Sequence, residues 1–336
     1  MTTTSPRPHR SRLSTWIGRL AVCAALLPGA HAASANTPAD WPSKPIRLIV
    51  GFPPGSSPDV IARALVPGLT EALRQPVVVE NKSGVTGMIA AEAVARAPND
   101  GYTFLVTSGS AMSISVHTLP RLPIQPDKDL MPVAAAARIE LFLVSDARLG
   151  FNDFQGFLAY AKAHPGKLSY ATPGNGSAPH VAAEMLKEQA GIRAEHVPYR
   201  GSSPALQDLL GGVVQFAFDP GIALEHIRAG RLHLLAVGTT KRSPLFPATP
   251  TIQEQGLAGF DAGTTHGVYA PAGTSAAIVA RMNAEINKLL ASAAVAQQIR
   301  ALGAEATPMT PADFGAQIRR DSERYGAIVK ARGIKE

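Results

Sequence analysis

Ile46-Arg47-Leu48-Ile49-Val50-Gly51-Phe52-Pro53-Pro54-Gly55-Ser56-Ser57-Pro58-Asp59 opens as a strand, breaks on glycine and proline, and turns into a helix. The run Ile46–Val50 has the near-continuous apolar character of a strand buried on both faces. The cluster Gly51–Pro58 ends it, and Ile61, Leu65, Leu69 and Leu73 then recur at helical spacing. The same grammar repeats outward from this stretch. Val77-Val78-Val79 leads through Asn81–Gly87 into a helix from Met88 to Arg96, and Tyr102–Val106 is a further strand before Thr107-Ser108-Gly109-Ser110. Strands alternating with helices at this spacing predict an α/β fold with a largely parallel sheet.

A second set begins near Leu141. Leu141–Val144 reads as a strand, Phe154–Ala163 as a helix, and Leu168–Ala171 as a strand. The loop Thr172-Pro173-Gly174-Asn175-Gly176-Ser177 and a helix over Pro179–Gln189 follow. His196–Tyr199, a helix at Ala205–Leu210, the strand Val213–Phe218, a helix at Leu224–Ala229 and the strand Leu232–Val237 complete the set. A proline-rich connection, Ser243–Pro250, leads to an apolar run at Gly267–Pro271 and helices over Ala276–Ala291 and Ala312–Lys330. The last helix carries Phe314, Ile318, Tyr325 and Ile328 near one face, as docking on a core requires.

The N-terminus has its own signature. Arg7, Arg10, Arg12 and Arg19 precede a short apolar run from Leu20 to Leu27, followed by the small-residue patterns Ala30-His31-Ala32 and Ala33-Ser34-Ala35. A basic n-region, a short h-region and an A-x-A site read as a secretory signal peptide over residues 1–35, cleaved after Ala32 or Ala35. The apolar run is far short of the roughly 20 residues that span a bilayer. The expected location is therefore the periplasm. Removing those four arginines from 32 basic residues, against 25 acidic ones, leaves a net charge of +3. No basic stripe interleaved with aromatics occurs, so nucleic acid is not an expected partner. Cys23, the sole cysteine, lies in the leader, which excludes a disulfide framework and thiol chemistry from the mature chain.

Two segments are the most informative chemically, Gly51–Asp59 and Thr172–His180. Each places glycine, proline and hydroxyl residues between a strand and a helix start, where backbone N–H groups and the helix dipole favour an anion. Ser56, Ser57, Asn175 and Ser177 can add side-chain hydrogen bonds. In open α/β sheets ligands sit beyond the carboxyl ends of strands, where both loops fall. The same residues also suit an ordinary strand-to-helix connection with a capping hydroxyl. Asp59 can meet a ligand amine or water, or simply complement the helix dipole. Asp219, after Val213–Phe218, can contact ligand or cap the helix that begins past Gly221. His180 beside Ser177 raises a nucleophile–base pair, and with it an exported hydrolase as the alternative function. No G-x-S-x-G elbow, phosphate-loop motif, third dinucleotide-loop glycine or H-x-x-x-H pair is present, so no cofactor or metal is expected.

Ordered landmarks run along the whole mature chain: Trp41–Arg47, Gly51-Phe52-Pro53-Pro54-Gly55, Pro76–Lys82, Asp100-Gly101-Tyr102-Thr103, Pro165–Tyr170, Gly174-Asn175-Gly176-Ser177, His196–Gly201, Leu209–Gly212, His226–Leu232 and Ala270–Thr274. With these in this order the sequence resembles the Bug family, the solute receptors of tripartite tricarboxylate transporter systems. The resemblance implies a two-lobed, Venus-flytrap fold of the type II-like periplasmic-binding-protein class, with two crossovers and a ligand cleft between lobes. Lobe 1 is expected at 42–138 plus 238–336 and lobe 2 at 139–237.

It further implies a non-enzymatic monomer that captures a small carboxylate with amides, hydroxyls and waters, and that works with membrane permease subunits or a sensor protein. The ligand shell it suggests is Phe52, Pro54, Gly55, Ser56, Ser57, Asp59, Gly84, Gly87, Ser108 and Gly109 on one lobe. On the other it is Asn175, Gly176, Ser177, His180, Tyr199, Arg200, Gly201 and Asp219. Two departures touch that shell: Ser56-Ser57-Pro58 stands where paired glycines usually precede the hydroxyl and Asp, and Pro220 follows Asp219. With no Arg or Lys in the two main loops, a mono- or dicarboxylate is favoured, Arg200 being the cation that could extend the range.

Overall fold

The computed structural model describes residues 41–334, so the leader sequence and its cleavage sites lie outside the described residues. Eleven strands form two sheets. In chain order they are β1 (Ile46–Val50), β2 (Val77–Asn81), β3 (Thr103–Thr107), β4 (Leu130–Ile139), β5 (Phe142–Asp146), β6 (Leu168–Thr172), β7 (Ala194–Pro198), β8 (Phe216–Asp219), β9 (Leu232–Val237), β10 (Thr264–Pro271) and β11 (Ala304–Ala306). The first sheet runs β11-β4-β10-β3-β1-β2 and the second β7-β6-β8-β5-β9. The chain passes from the first to the second through Glu140 and Leu141, between β4 and β5, and returns after β9.

Each sheet mixes directions. β1 pairs in parallel with β2 and β3, and β6 with β7 and β8. β10 runs antiparallel to β3 and β4, and β5 antiparallel to β8 and β9. A largely parallel sheet is therefore not what forms. β5 and β10 enter from the other half of the molecule rather than from a local strand–helix–strand unit, so nothing obliges them to run parallel to their neighbours.

The helix Ser57–Leu73 lays Ile61, Leu65, Leu69 and Leu73 on the first sheet, against Ile46, Leu48 and Val50. Each such side chain contributes roughly 2 kcal/mol when removed from water. On the second sheet Phe157, Tyr170 and Phe216 pack ring to ring, with Phe157 and Phe216 edge-on at 5.1 Å between centroids. The C-terminal helix Pro311–Arg332 serves both cores. Phe314 packs on Tyr269 of β10, at 5.3 Å between centroids. Further along, Tyr325 and Val329 join Phe218 and Phe260 in the second core, and the Tyr325 hydroxyl donates to the Gly263 carbonyl at 3.0 Å.

Candidate functional site

The carboxyl ends of β1, β3, β6 and β8 converge on one cleft between the sheets. Two chambers occupy it. The inner one, about 20 Å3, is floored by Ile139 and Leu141 of the crossing segment and walled by Ser57, Ser108, Ser110, Ser177, Ser202, Thr264 and His266. The outer one, about 220 Å3, lies between Gly84–Gly87 and Asn175, Tyr199 and Arg200. Phe52 and Pro173 line both.

The lobes touch across the cleft. Thr86 donates its hydroxyl to the Asn175 carbonyl at 2.5 Å, the Ala178 N–H donates to Ser110 Oγ at 2.9 Å, and Ser203 donates to the Pro54 carbonyl at 3.1 Å. Two glycines permit this approach. A Cβ on Gly176 (φ 65°) would meet Thr118 Oγ1 at 2.1 Å, and one on Gly201 (φ 139°) would meet Pro53 Cδ at 2.4 Å. The loop that carries Thr86 is strained: Val85 and Thr86 both hold left-handed backbone at φ 46° and 49°, which costs β-branched residues on the order of 1 kcal/mol or more each. The strained residue is the one that reaches the opposite lobe.

Behind the first loop, Asp59 faces away from both chambers. It accepts from the Gly55 N–H at 2.9 Å, Asn81 Nδ2 at 2.8 Å and Arg63 Nε at 2.9 Å. Burial alone would push its carboxyl up, but those hydrogen bonds hold it below the ordinary range. Ser56 stands at the N-cap of the helix Ser57–Leu73 yet makes no capping bond, and its hydroxyl is buried without a partner, as is that of Ser108. Ser57 Oγ lies 3.0 Å from His266 Nε2. His266 is fully buried, and desolvation pushes its pKa down to about 3, so it is neutral. The Gly109 N–H donates to its Nδ1 at 3.4 Å.

The second loop is occupied with itself. Ser177 caps its helix by accepting from the His180 N–H at 3.3 Å, and it donates to the Gly174 carbonyl at 2.7 Å. His180 Nδ1 accepts from the Gly176 N–H at 3.1 Å. The two side chains make no nucleophile–base contact, because each is bonded to backbone. The His180 ring stacks on His196 at 4.1 Å, and His196 on Tyr170 at 4.9 Å. Burial lowers both histidines, His196 to about 4.

The remaining sequence-derived residues divide between lining and scaffolding. Phe52, Gly84, Gly87, Asn175, Tyr199 and Arg200 line the outer chamber, and Ser57, Ser108 and Ser177 the inner. Pro54 and Gly55 lie on the lip that meets Ser203. The Tyr199 hydroxyl donates to Asp208 at 2.6 Å and is pushed up to about 12, by burial first and then by that carboxylate. Asp219 accepts from the N–H groups of Gly221 and Ala223 at 2.7 and 3.0 Å, and burial raises it to about 6. It caps the turn after β8 and lines a smaller pocket with Pro173, Ser202 and Pro220, which also border the inner chamber.

Sequence reasoning did not single out His266, Ser110, Thr264 or Ser202. Ser110 sits in a hydroxyl-rich loop that was visible. His266 carried only a faint signal, a histidine and glycine opening an apolar run. Among the described residues no group of three His, Cys, Asp or Glu side chains is placed to hold a metal ion.

Comparison with known proteins agrees with this architecture. The chain is 38% identical over 298 residues to protein BugT of Bordetella pertussis, covering 88% of this chain and 91% of that one. The R. palustris protein Rpa4515, solved with adipate, superposes at a TM-score of 0.85 with 32% identity over 88% of this chain and 99% of its own. MatC of Rhodopseudomonas palustris, solved with bound malate, superposes at 0.82 with 30% identity over 86% and 100%. The periplasmic binding protein BugD superposes at 0.84 with 29% identity over 88% of this chain and 99% of its own, and the paired sheets of this chain correspond with that fold. The family model described as the tripartite tricarboxylate transporter family receptor matches residues 61–334, nearly everything the structure describes. By fold and by sequence together, the chain belongs to that receptor family of solute-binding proteins.

Proposed function

We propose that this chain is an exported receptor that closes on a small dicarboxylate, holds it without chemistry, and passes it to membrane permease subunits or a sensor. The observation that carries the reading is the pair of chambers that share Phe52 and Pro173 as lining. The inner chamber, about 20 Å3 and so widened by any carboxylate that enters it, offers neutral donors, Ser57 and Ser108, at the start of two helices, which suits one carboxylate. The outer chamber offers Asn175 and the exposed guanidinium of Arg200, which suits a second. Adipate and malate, held by two relatives, each carry two carboxylates. The hydrolase alternative loses support from the separate commitments of Ser177 and His180 to backbone partners.

The leader over residues 1–35, with cleavage after Ala32 or Ala35, is the export signal. Residues 42–138 plus 238–336 and residues 139–237 are the two moving lobes, with the C-terminal helix spanning both cores. The ligand favours the closed form because only there do both chambers have walls on each side. The receptor works as a monomer.

The test is thermal unfolding of ligand-stripped mature protein against mono-, di- and tricarboxylates. A dicarboxylate at about 100 times its Kd adds roughly 2.7 kcal/mol, a rise of about 5 °C for a chain of this size. A shift confined to monocarboxylates, or none with any carboxylate, defeats the reading.

A further inference from the structure

The Ser57–His266 contact has the geometry of a serine nucleophile beside its base, 3.0 Å apart and facing the inner chamber. Its polarity is the reverse. His266 Nδ1 receives the Gly109 N–H. That nitrogen therefore presents its lone pair, and the single proton of the neutral ring sits on Nε2. Nε2–H then donates to Ser57 Oγ, and the serine's own proton is left pointing away from the ring. The alternative tautomer would oppose an Nδ1–H to the Gly109 N–H and leave a buried Nε2 lone pair to be filled by Ser57.

The placement of His266 supports a built contact. In β10 the pairing with β4 slips between His266 and Gly267, a local irregularity of the kind that re-aims a side chain near a site. His266 is 3% exposed and Ser57 2%, so neither can exchange its partner for bulk water.

We infer that His266 is a positioning residue that keeps the Ser57 proton off the ring and available to an acceptor in the inner chamber, such as an ionised carboxylate oxygen, and that His266 cannot serve as a base to activate Ser57. The inference rests on the receptor reading for its ligand class but not for its tautomer. A serine facing a bare Nε2 would give its proton to the ring, whereas one that accepts from a buried Nε2–H keeps that proton free to donate elsewhere. Without a ligand acceptor that proton is left unpaired in a buried site, so a carboxylate oxygen supplies the bond the serine lacks.

Long-range proton–nitrogen NMR of the ligand-free mature protein at neutral pH reads the tautomer directly. A protonated Nε2 with a bare Nδ1 on His266 is expected. A protonated Nδ1, or an imidazolium, overturns the inference. Calorimetry with adipate and malate supplies the functional arm. Ser57→Ala and His266→Leu should each weaken binding by about tenfold, and the double variant should be no weaker than either. His266→Gln, whose amide N–H can stand in for Nε2–H, should recover affinity to within about threefold. Additive losses in the double variant would mean that His266 acts on the fold and not through Ser57, which also overturns it. If the wild type binds neither these acids nor any other dicarboxylate, the receptor reading fails, while the nitrogen signals still decide the tautomer on their own.

Discussion

In Gly51–Asp59 the N-cap serine makes no capping bond, and Ser56 and Ser57 keep hydroxyl capacity to spare. In Thr172–His180 the N-cap serine accepts one bond and donates another, and the histidine one turn on takes up a loop N–H. Both segments are a strand, a glycine- and proline-rich turn and a helix start, yet they spend their polar groups differently. The first is braced from behind by Asp59, which joins Gly55, Arg63 and Asn81, and so leaves its front to a ligand. The second is braced from within, and so offers a fixed shape with fewer free donors. Closure then brings a pre-shaped surface against a receptive one, which limits the ordering cost of binding.

Removing the brace of the first loop should have the largest effect. Asp59→Ala deletes three hydrogen bonds to a buried carboxylate, one of them from a guanidinium, a loss of about 3 kcal/mol, or about 6 °C in the melting temperature. An unchanged melt would mean that the loop is held by its prolines alone. Acid should test the second loop instead. The His196 pKa is lowered to about 4, by burial first and then by His180 and Lys187 against the pull of Glu184, with Thr172, Tyr170 and Glu195 also close by. The unfolded chain binds that proton near 6.5 and the folded chain does not, so stability falls as pH drops from about 6.5 to about 4 and levels off below. The contribution is on the order of 2 kcal/mol. Asp219, raised to about 6, works in the opposite sense, so the measurement is the difference between wild type and His196→Phe. The variant should lose about 4 °C less between pH 7 and pH 4.5, and equal losses would remove His196 from the account.

How much of this was legible beforehand follows from range of interaction. Strand-to-helix units are local, and their apolar periodicity predicts β1 and the helix beginning at Ser57, with Ile61, Leu65, Leu69 and Leu73 all buried. β4 was not legible, because Leu130–Ile139 contains Pro132 and the run Ala134–Ala137, and alanine favours helix wherever tertiary contacts do not decide. There the neighbours β10 and β11 do decide, from more than a hundred residues away. The anion-friendly loops could be read from composition, but not which hydroxyls remain free. That depends on partners such as Thr118 facing Gly176 and Ser110 facing Ala178, which only folding brings together. His266 is the clearest case, since its role arises from Ser57, 209 positions away, and Gly109, 157 away.

The two N-cap serines give the finest test of the comparison. Ser177→Ala removes a working cap and should cost about 1 kcal/mol, about 2 °C in the melt, while leaving the His180–Gly176 contact to hold much of the loop. Ser56→Ala removes a hydroxyl that has no partner and is fully buried. Deleting an unsatisfied polar atom relieves a desolvation penalty, so the ligand-free protein should melt unchanged or slightly higher. Its cost should appear only on binding, as a dicarboxylate shift smaller than that of the wild type. The opposite pattern, a destabilised Ser56→Ala with a full ligand shift beside a neutral Ser177→Ala, would reverse the assignment and make the second loop the receptive one. Equal effects at both positions would mean that the contrast in bonding has no consequence for which lobe does the holding.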